Sequence, residues 1–270
     1  MPNRSVPSSA AAKLSASLAS LMRPGGDAPV PIDAAALAEL IARSAEPGET
    51  LIIGVTGSVA AGKTALCASI TGHLSPSLRI ETISTDGFLM PNLALEKLGL
   101  SLRKGFPETY DTALMSGTLQ RIRLGAVCVP GYCHRLYDRA PELDRTINRP
   151  DIVLVEGLGL SSGPAERTPA ALVDVLIYID ASEEDLETWF LRRFMGFWHD
   201  AETDAASFYT RFRTMTEADA ENFARAVWAG INLPNLRDHI APVRDRADIV
   251  LRKSLDHTLY LESLARTTAS

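Results

Sequence analysis

The chain has 270 residues, enough for one large or two small domains. With 46% hydrophobic and 22% charged residues it has a globular composition, which excludes wholesale disorder, and 18 Gly plus 16 Pro exclude a collagen-like or low-complexity architecture. A net charge of −6 excludes the general basic excess of a nucleic-acid binder but leaves room for a local basic pocket, and no apolar run reaches the roughly 18 residues that a membrane helix needs.

Residues 1–31 read as an N-terminal arm and linker, loosely ordered or carrying a docking helix. The arm is rich in Ser and Ala and has Arg4, Lys13 and Arg23 with no acid before Asp27, a composition that overlaps with transit peptides. Leu14, Leu18 and Leu21 within it have helical spacing. Residues 32–270 read as a single domain. Asp33 caps a helix with an apolar face of Leu37, Leu40 and Ile41, ended by Pro47-Gly48. Residues 50–55 form a buried strand, followed by a Gly-rich loop and a helix over 63–74. Residues 79–85 are the next strand, and residues 111–124 a helix ended by Gly125.

Residues 151–155 and 173–179 read as two more buried strands. Ser182 with Asp185, and Thr216 with Asp219, are capping boxes that open two further helices. The first carries Leu186, Phe190 and Phe194 on one face, the second Phe223 and Val227. Residues 249–251 are a last short strand. Strands alternating with helices define an α/β fold: a P-loop NTPase three-layer sandwich, its mainly parallel sheet covered by helices on both faces. The three cysteines, Cys67, Cys128 and Cys133, contain no C-x-x-C and read as free thiols in a reducing cytoplasm.

Gly57-Ser58-Val59-Ala60-Ala61-Gly62-Lys63-Thr64 satisfies G-x-x-x-x-G-K-[ST] between a strand and a helix. Glycines let successive N–H groups turn toward phosphate oxygens, and the helix N-terminus adds positive partial charge. Lys63 is placed for the β- and γ-phosphates of ATP, and the Thr64 hydroxyl for Mg²⁺. There is no N-K-x-D after a strand, which argues against a GTPase, and no L-S-G-G-Q of an ABC protein. A small-molecule kinase remains. Asp86 ends the strand 79–85, where ligands of open α/β sheets bind, and is the candidate base for an acceptor hydroxyl. Glu156 ends the strand 151–155 in a Walker-B-like place suited to Mg²⁺ or its water shell. Arg192 and Arg193 cannot both face one way on a helix, so one of them reaches the phosphates.

These motifs together resemble one family, the bacterial type I pantothenate kinases. The matching strings are Gly57–Thr64, Thr85-Asp86-Gly87-Phe88-Leu89 with Pro91-Asn92, and Lys104-Gly105-Phe106-Pro107-Glu108-Thr109-Tyr110-Asp111. Further matches are Tyr132-Cys133-His134-Arg135-Leu136-Tyr137-Asp138, Glu156-Gly157, Trp189 to Phe194, Ile231-Asn232 and Pro242-Val243-Arg244-Asp245-Arg246-Ala247. The resemblance implies transfer of the ATP γ-phosphoryl to the primary hydroxyl of pantothenate. It implies Lys63 and Arg193 as phosphate-charge stabilisers, Thr64 and Glu156 on Mg²⁺, and Asp86 as base. It places Lys104, Tyr132, His134, Tyr137 and Asn232 around pantothenate, Lys253 and His257 near adenine, and two copies in a homodimer.

The chain departs from the family at three positions. Phe190 stands where the family has a substrate-contacting Tyr, so one hydroxyl is absent from the acceptor pocket. Ala68 replaces an arginine that meets coenzyme A phosphates, which implies weak feedback by coenzyme A. Gly159 replaces an Asn. The Phe190 change keeps open another hydroxylated acceptor, such as a nucleoside or sugar acid, and a non-catalytic nucleotide-binding regulator is the remaining alternative.

Overall fold

The computed structural model describes residues 9–21, 29–74, 76–162 and 169–264. Its centre is a seven-stranded sheet. In chain order the strands that concern us are β1 (Val30–Pro31), β2 (Leu51–Gly57), β3 (Ile80–Ser84), β4 (Ala126–Val129), β5 (Tyr132–Cys133), β6 (Asp138–Arg139), β7 (Arg145–Asn148), β8 (Ile152–Glu156), β9 (Val175–Asp180), β10 (Ile249–Lys253) and β11 (Leu259–Leu264). The sheet order is β1-β11-β10-β9-β2-β8-β3. The five strands from β10 to β3 run parallel; β11 and β1 are antiparallel additions at one edge.

The central strands carry continuous apolar runs because both faces are covered. Every residue of β2 and β8 is buried, the pattern of a parallel strand between two helical layers. The helices are α1 (Ser9–Leu21), α2 (Ala34–Ser44), α3 (Lys63–His73), α4 (Asn92–Lys97), α5 (Thr112–Arg121), α6 (Glu183–Asp200) and α7 (Glu217–Val227). The expected caps are in place. Asp33 accepts from the Ala36 N–H, Ser182 from Asp185 and Thr216 from Asp219, each satisfying an N–H that the first helical turn leaves orphaned.

Of the two readings of the N-terminal arm the docking helix holds for residues 9–21, and two further features differ from the sequence reading. Residues 9–21 form α1, whose Leu14 and Leu18 are fully buried in the main core while Leu21 is exposed. Lys13 pairs with Glu46 beside this contact. The i, i+4 spacing of Leu14 and Leu18 therefore serves packing, on an Ala-rich segment of high helix propensity. β11 was not foreseen: it follows β10 after a tight turn and is only half-buried, so it lacks the apolar run that marks the inner strands. The segment Trp228–Ile240 is wound largely in π-type turns. Pro234 sits within it and has no N–H to offer a regular ladder.

Two short ribbons stand outside the sheet: β4 with β7, and β5 with β6. The second is a hairpin that carries Tyr132 and His134. A smaller aromatic core of Phe194, Trp198, Ala220 and Ala224, with Tyr209 and Phe212 packed on it, joins α6 to α7 and to the turn Phe208–Phe212.

Candidate active site

The carboxyl ends of β2, β3 and β8 converge, so the loops that follow them meet above the sheet. The loop after β2 is held in a fixed cradle. Ala60 and Gly62 both adopt positive φ, +64° and +90°. At Gly62 a Cβ would also lie 2.5 Å from Lys253 Nζ, so this position needs glycine for both its backbone and its neighbour. The Lys63 ammonium is buried and donates to the carbonyls of Gly57 (3.1 Å) and Ser58 (2.7 Å). Burial pushes Lys63 below its usual range, while Glu156 and Asp86 work to keep it charged.

Thr64 Oγ1 donates to Glu156 Oε1 at 3.1 Å. Glu156 is itself buried at the end of β8, and burial raises its carboxyl above the usual range against the pull of Lys63. A hydroxyl beside a carboxylate is an oxygen-only donor set of the kind that hard divalent cations take. The Ser58 hydroxyl is buried in the cradle with no partner among the described residues. These features fit a nucleotide phosphate chain with its cation.

Asp86 lies half-buried in the turn Thr85–Phe88, directly after β3. Two lysines feel its charge: Lys63 of the cradle and Lys104 of the loop after α4. Lys104 Nζ donates to Asn92 Oδ1 (2.6 Å) and to the Tyr137 carbonyl (2.5 Å), and lies 4.2 Å from the Tyr137 ring centroid and 5.2 Å from that of Tyr132. Burial pushes its pKa down to about 8, with Asp138 and Asp86 opposing. Tyr132 stacks edge-on with His134 (5.1 Å) and Tyr137 (6.4 Å). Burial holds both phenols well above the ordinary tyrosine range, so they act as neutral donors. His134 is exposed at the rim.

The structure thus brings Lys63, Thr64, Glu156, Asp86, Lys104, Tyr132 and Tyr137 into one region. At a second end of the cradle, Lys253 Nζ donates to the Ala61 carbonyl (2.9 Å) and lies 4.7 Å from the Trp189 ring, which His257 overlaps at 5.0 Å. Burial lowers both Lys253 and His257, with Lys253 and Arg192 adding to the latter effect. Arg192 therefore faces His257, while the Arg193 guanidinium lies over Phe197 (5.4 Å) and acts on Lys63. The two adjacent arginines point to different ends of the site, as the helix geometry required.

Phe190 stacks with Trp228 at 5.8 Å, and Asn232 ends the π-type turn that begins at Trp228. Asn235, on the same segment, donates to the Gly105 carbonyl at 3.0 Å and so docks that turn beside Lys104. Its side chain is buried, and sequence reasoning missed it; the polar residue in an otherwise apolar stretch was the available signal. Asn92 was missed as a site residue too, although the Pro91-Asn92 string was noticed. It accepts from Lys104 and donates to the Tyr137 carbonyl (2.9 Å), so it fixes the lysine. The Asn-to-Gly departure at Gly159 has a packing reason: a Cβ there would lie 2.8 Å from the Tyr110 ring and 2.9 Å from Met115. Arg244 does not join the site; it is tied to Asp180 (2.8 Å) and Glu262 (3.2 Å).

A phosphate cradle, an oxygen-donor pair beside it and a carboxylate acting on two lysines define a P-loop phosphotransferase. Residues 52–195 match the phosphoribulokinase/uridine kinase family. Pantothenate kinase of Streptomyces coelicolor is 38% identical over 236 residues, covering 83% of this chain and 72% of that one. The pantothenate kinase of Xanthobacter autotrophicus is 40% identical over 227 residues (80% and 70%), and that of Streptococcus pneumoniae serotype 19F is 39% identical over 217 residues (78% and 71%). The chain belongs to the phosphoribulokinase/uridine kinase family and, by these relatives, to the pantothenate kinases. Among solved structures, D-glycerate 3-kinase from Cryptococcus neoformans superposes with a TM-score of 0.53 at 14% identity, covering 93% of this chain and 94% of that one. A Silicibacter sp. TM1040 protein assigned as a fructose transport system kinase superposes with a TM-score of 0.61 at 24% identity, covering 76% and 93%. Both share the fold.

Proposed function

We propose that the protein transfers the γ-phosphoryl of ATP to the primary hydroxyl of pantothenate, giving 4′-phosphopantothenate and ADP. This reading is supported by identity of about 40% to pantothenate kinases and by Asp86 acting electrostatically on both Lys63 of the cradle and Lys104. The acceptor oxygen forms the new P–O bond as the bond to the β-phosphate oxygen breaks, and Asp86 takes the hydroxyl proton. Lys63 and Arg193 neutralise charge on the phosphoryl oxygens. Thr64 and Glu156 hold Mg²⁺, which when bound screens the phosphate charge.

Lys253 and His257, with Trp189 beside them, receive the adenine end. Lys104, Tyr132, His134, Tyr137, Phe190 and Asn232 surround the acceptor. Ala68 is exposed on α3 and offers no cation, so coenzyme A inhibits weakly. The protein works as a homodimer in the cytoplasm, where its three thiols stay reduced. Among the described residues no helix is long and apolar enough to cross a membrane.

The test is coupled ADP release from ATP and Mg²⁺ with pantothenate set against nucleosides and sugar acids. Saturable turnover with pantothenate, abolished in Asp86→Ala, is the expected result. ATP binding with turnover only on another alcohol, or on none, would overturn the acceptor assignment.

A further inference from the structure

A lysine carries its charge on a long flexible stem, so one that must present the charge at a fixed place needs its ammonium anchored. At Lys104 the backbone is held first. The Gly105 N–H donates to Thr109 Oγ1 (3.1 Å), the Gly105 carbonyl accepts from Asn235 (3.0 Å), and the Phe106 N–H donates to the Arg103 carbonyl (2.8 Å). None of these bonds reaches the ammonium. It is held separately, by Asn92 Oδ1 (2.6 Å) and the Tyr137 carbonyl (2.5 Å). An ammonium has three N–H groups. Two are committed here, which leaves one for an oxygen of the acceptor.

Asn92 serves both partners with one amide. Its Oδ1 accepts from Lys104, and its Nδ2 donates to the same Tyr137 carbonyl (2.9 Å), so the three groups close a triangle of hydrogen bonds. The partners fix which way the amide points: the ammonium needs an acceptor and the carbonyl needs a donor. The Asn92 N–H donates to Asp138 Oδ1 (2.9 Å), which pins residue 92 itself to the hairpin of β5 and β6. Tyr137, whose carbonyl completes the triangle, has φ +54°, a left-handed conformation that a bulky residue adopts only where its surroundings over-determine it. An aspartate at 92 would accept from the lysine but could not donate to the carbonyl, and an alanine would do neither.

We propose that Asn92 is a positioning residue for phosphoryl transfer: its amide locks the Lys104 ammonium against the Tyr137 carbonyl and so fixes the charge presented to the acceptor. This inference rests on the reading of Lys104 as an acceptor residue given above. Asp138 and Asp86 act on the same ammonium, with the rings of Tyr132 and Tyr137 beside it. Asn92 carries no charge, so it orients Lys104 without adding to the field of the two carboxylates.

The experiment is steady-state kinetics on the full chain with Asn92→Ala and Asn92→Asp at saturating ATP, on the alcohol that the unaltered chain turns over, across about pH 6–10 to span the lysine titration. Melting curves confirm folding, and the near-isosteric Asn92→Asp carries the test if Asn92→Ala melts too low. Asn92→Ala is expected to lower kcat/KM for the acceptor about tenfold, the range of one hydrogen bond to a charged group, with KM for ATP unmoved. It also moves the alkaline limb to lower pH, because the charged lysine loses an acceptor. Asn92→Asp moves that limb to higher pH, because a carboxylate favours the ammonium. A side chain that merely packs the loop would move neither limb. Alkaline limbs that stay in place, or a rise in KM for ATP equal to that for the acceptor, would overturn the proposal. Failure of pantothenate with success of another alcohol removes the acceptor assignment alone, because the same variants are then read on that alcohol. No turnover with any alcohol overturns both.

Discussion

Lys104 makes acceptor turnover sensitive to alkaline pH. Burial lowers its pKa to about 8 although Asp138 and Asp86 pull the other way. The ammonium is then about 90% charged at pH 7 and about 10% at pH 9. If the charged form binds the acceptor, kcat/KM for pantothenate at saturating ATP falls about tenfold across that interval. Tyr132 and Tyr137 stay protonated throughout, since burial raises both. Lys63 is lowered by burial as well; saturating ATP separates the two, because the phosphates hold Lys63 charged. Lys104→Arg carries a guanidinium that does not titrate in this range and so removes the alkaline limb. The same shift has a sign for stability. The unfolded lysine, near 10.4, binds more protons than the native one between about pH 8 and 10.4, so stability rises with pH across that window. Below about pH 8 the buried charge weighs fully against the fold. Lys104→Met therefore loses acceptor turnover yet melts higher than the native chain at pH 7, with the advantage shrinking toward pH 10. An alkaline limb that survives Lys104→Arg, or a lower melting temperature in Lys104→Met at pH 7, would refute the reasoning.

Two further outcomes follow from local geometry. Gly62→Ala forces a Cβ into a positive-φ position and against Lys253 Nζ; KM for ATP should rise severalfold while a fluorescent acceptor analogue binds as before, with a variant that binds ATP normally counting against the cradle geometry. Leu18→Ala removes a fully buried side chain that joins α1 to the main core, and urea titration should show a loss of about 2–5 kcal/mol; a loss near zero would mean that α1 is dispensable.

The inner sheet and the phosphate cradle were legible in the sequence because their signals are local. β2 and β8 are largely apolar and wholly buried, and the cradle is a contiguous string whose glycine and lysine positions have direct backbone reasons. Asp86 and Glu156 were legible from their places at strand ends. Other features depend on contacts remote in sequence. Asn235 matters because it reaches Gly105, 130 residues away. The turn Phe208–Phe212 is held to the hairpin through the Arg135 carbonyl and to α6 through Trp198. β11 is only half-buried, so its pairing with β10, not its composition, makes it a strand. Trp189 is buried, and its stacking on His257 joins it to a residue 68 positions away that its local sequence does not announce.

The two outer strands of the sheet also constrain how copies of the chain can associate. β1 is two residues long, and Pro31 has no N–H to present to an incoming strand. At the opposite edge, the Arg145 guanidinium caps the Thr82 carbonyl of β3 and pairs with Glu81. Each margin is guarded, one by a missing donor and the other by an occupied acceptor under a charged side chain. Strand addition across either border is disfavoured, so neither margin offers a route by which a second chain could lengthen the sheet.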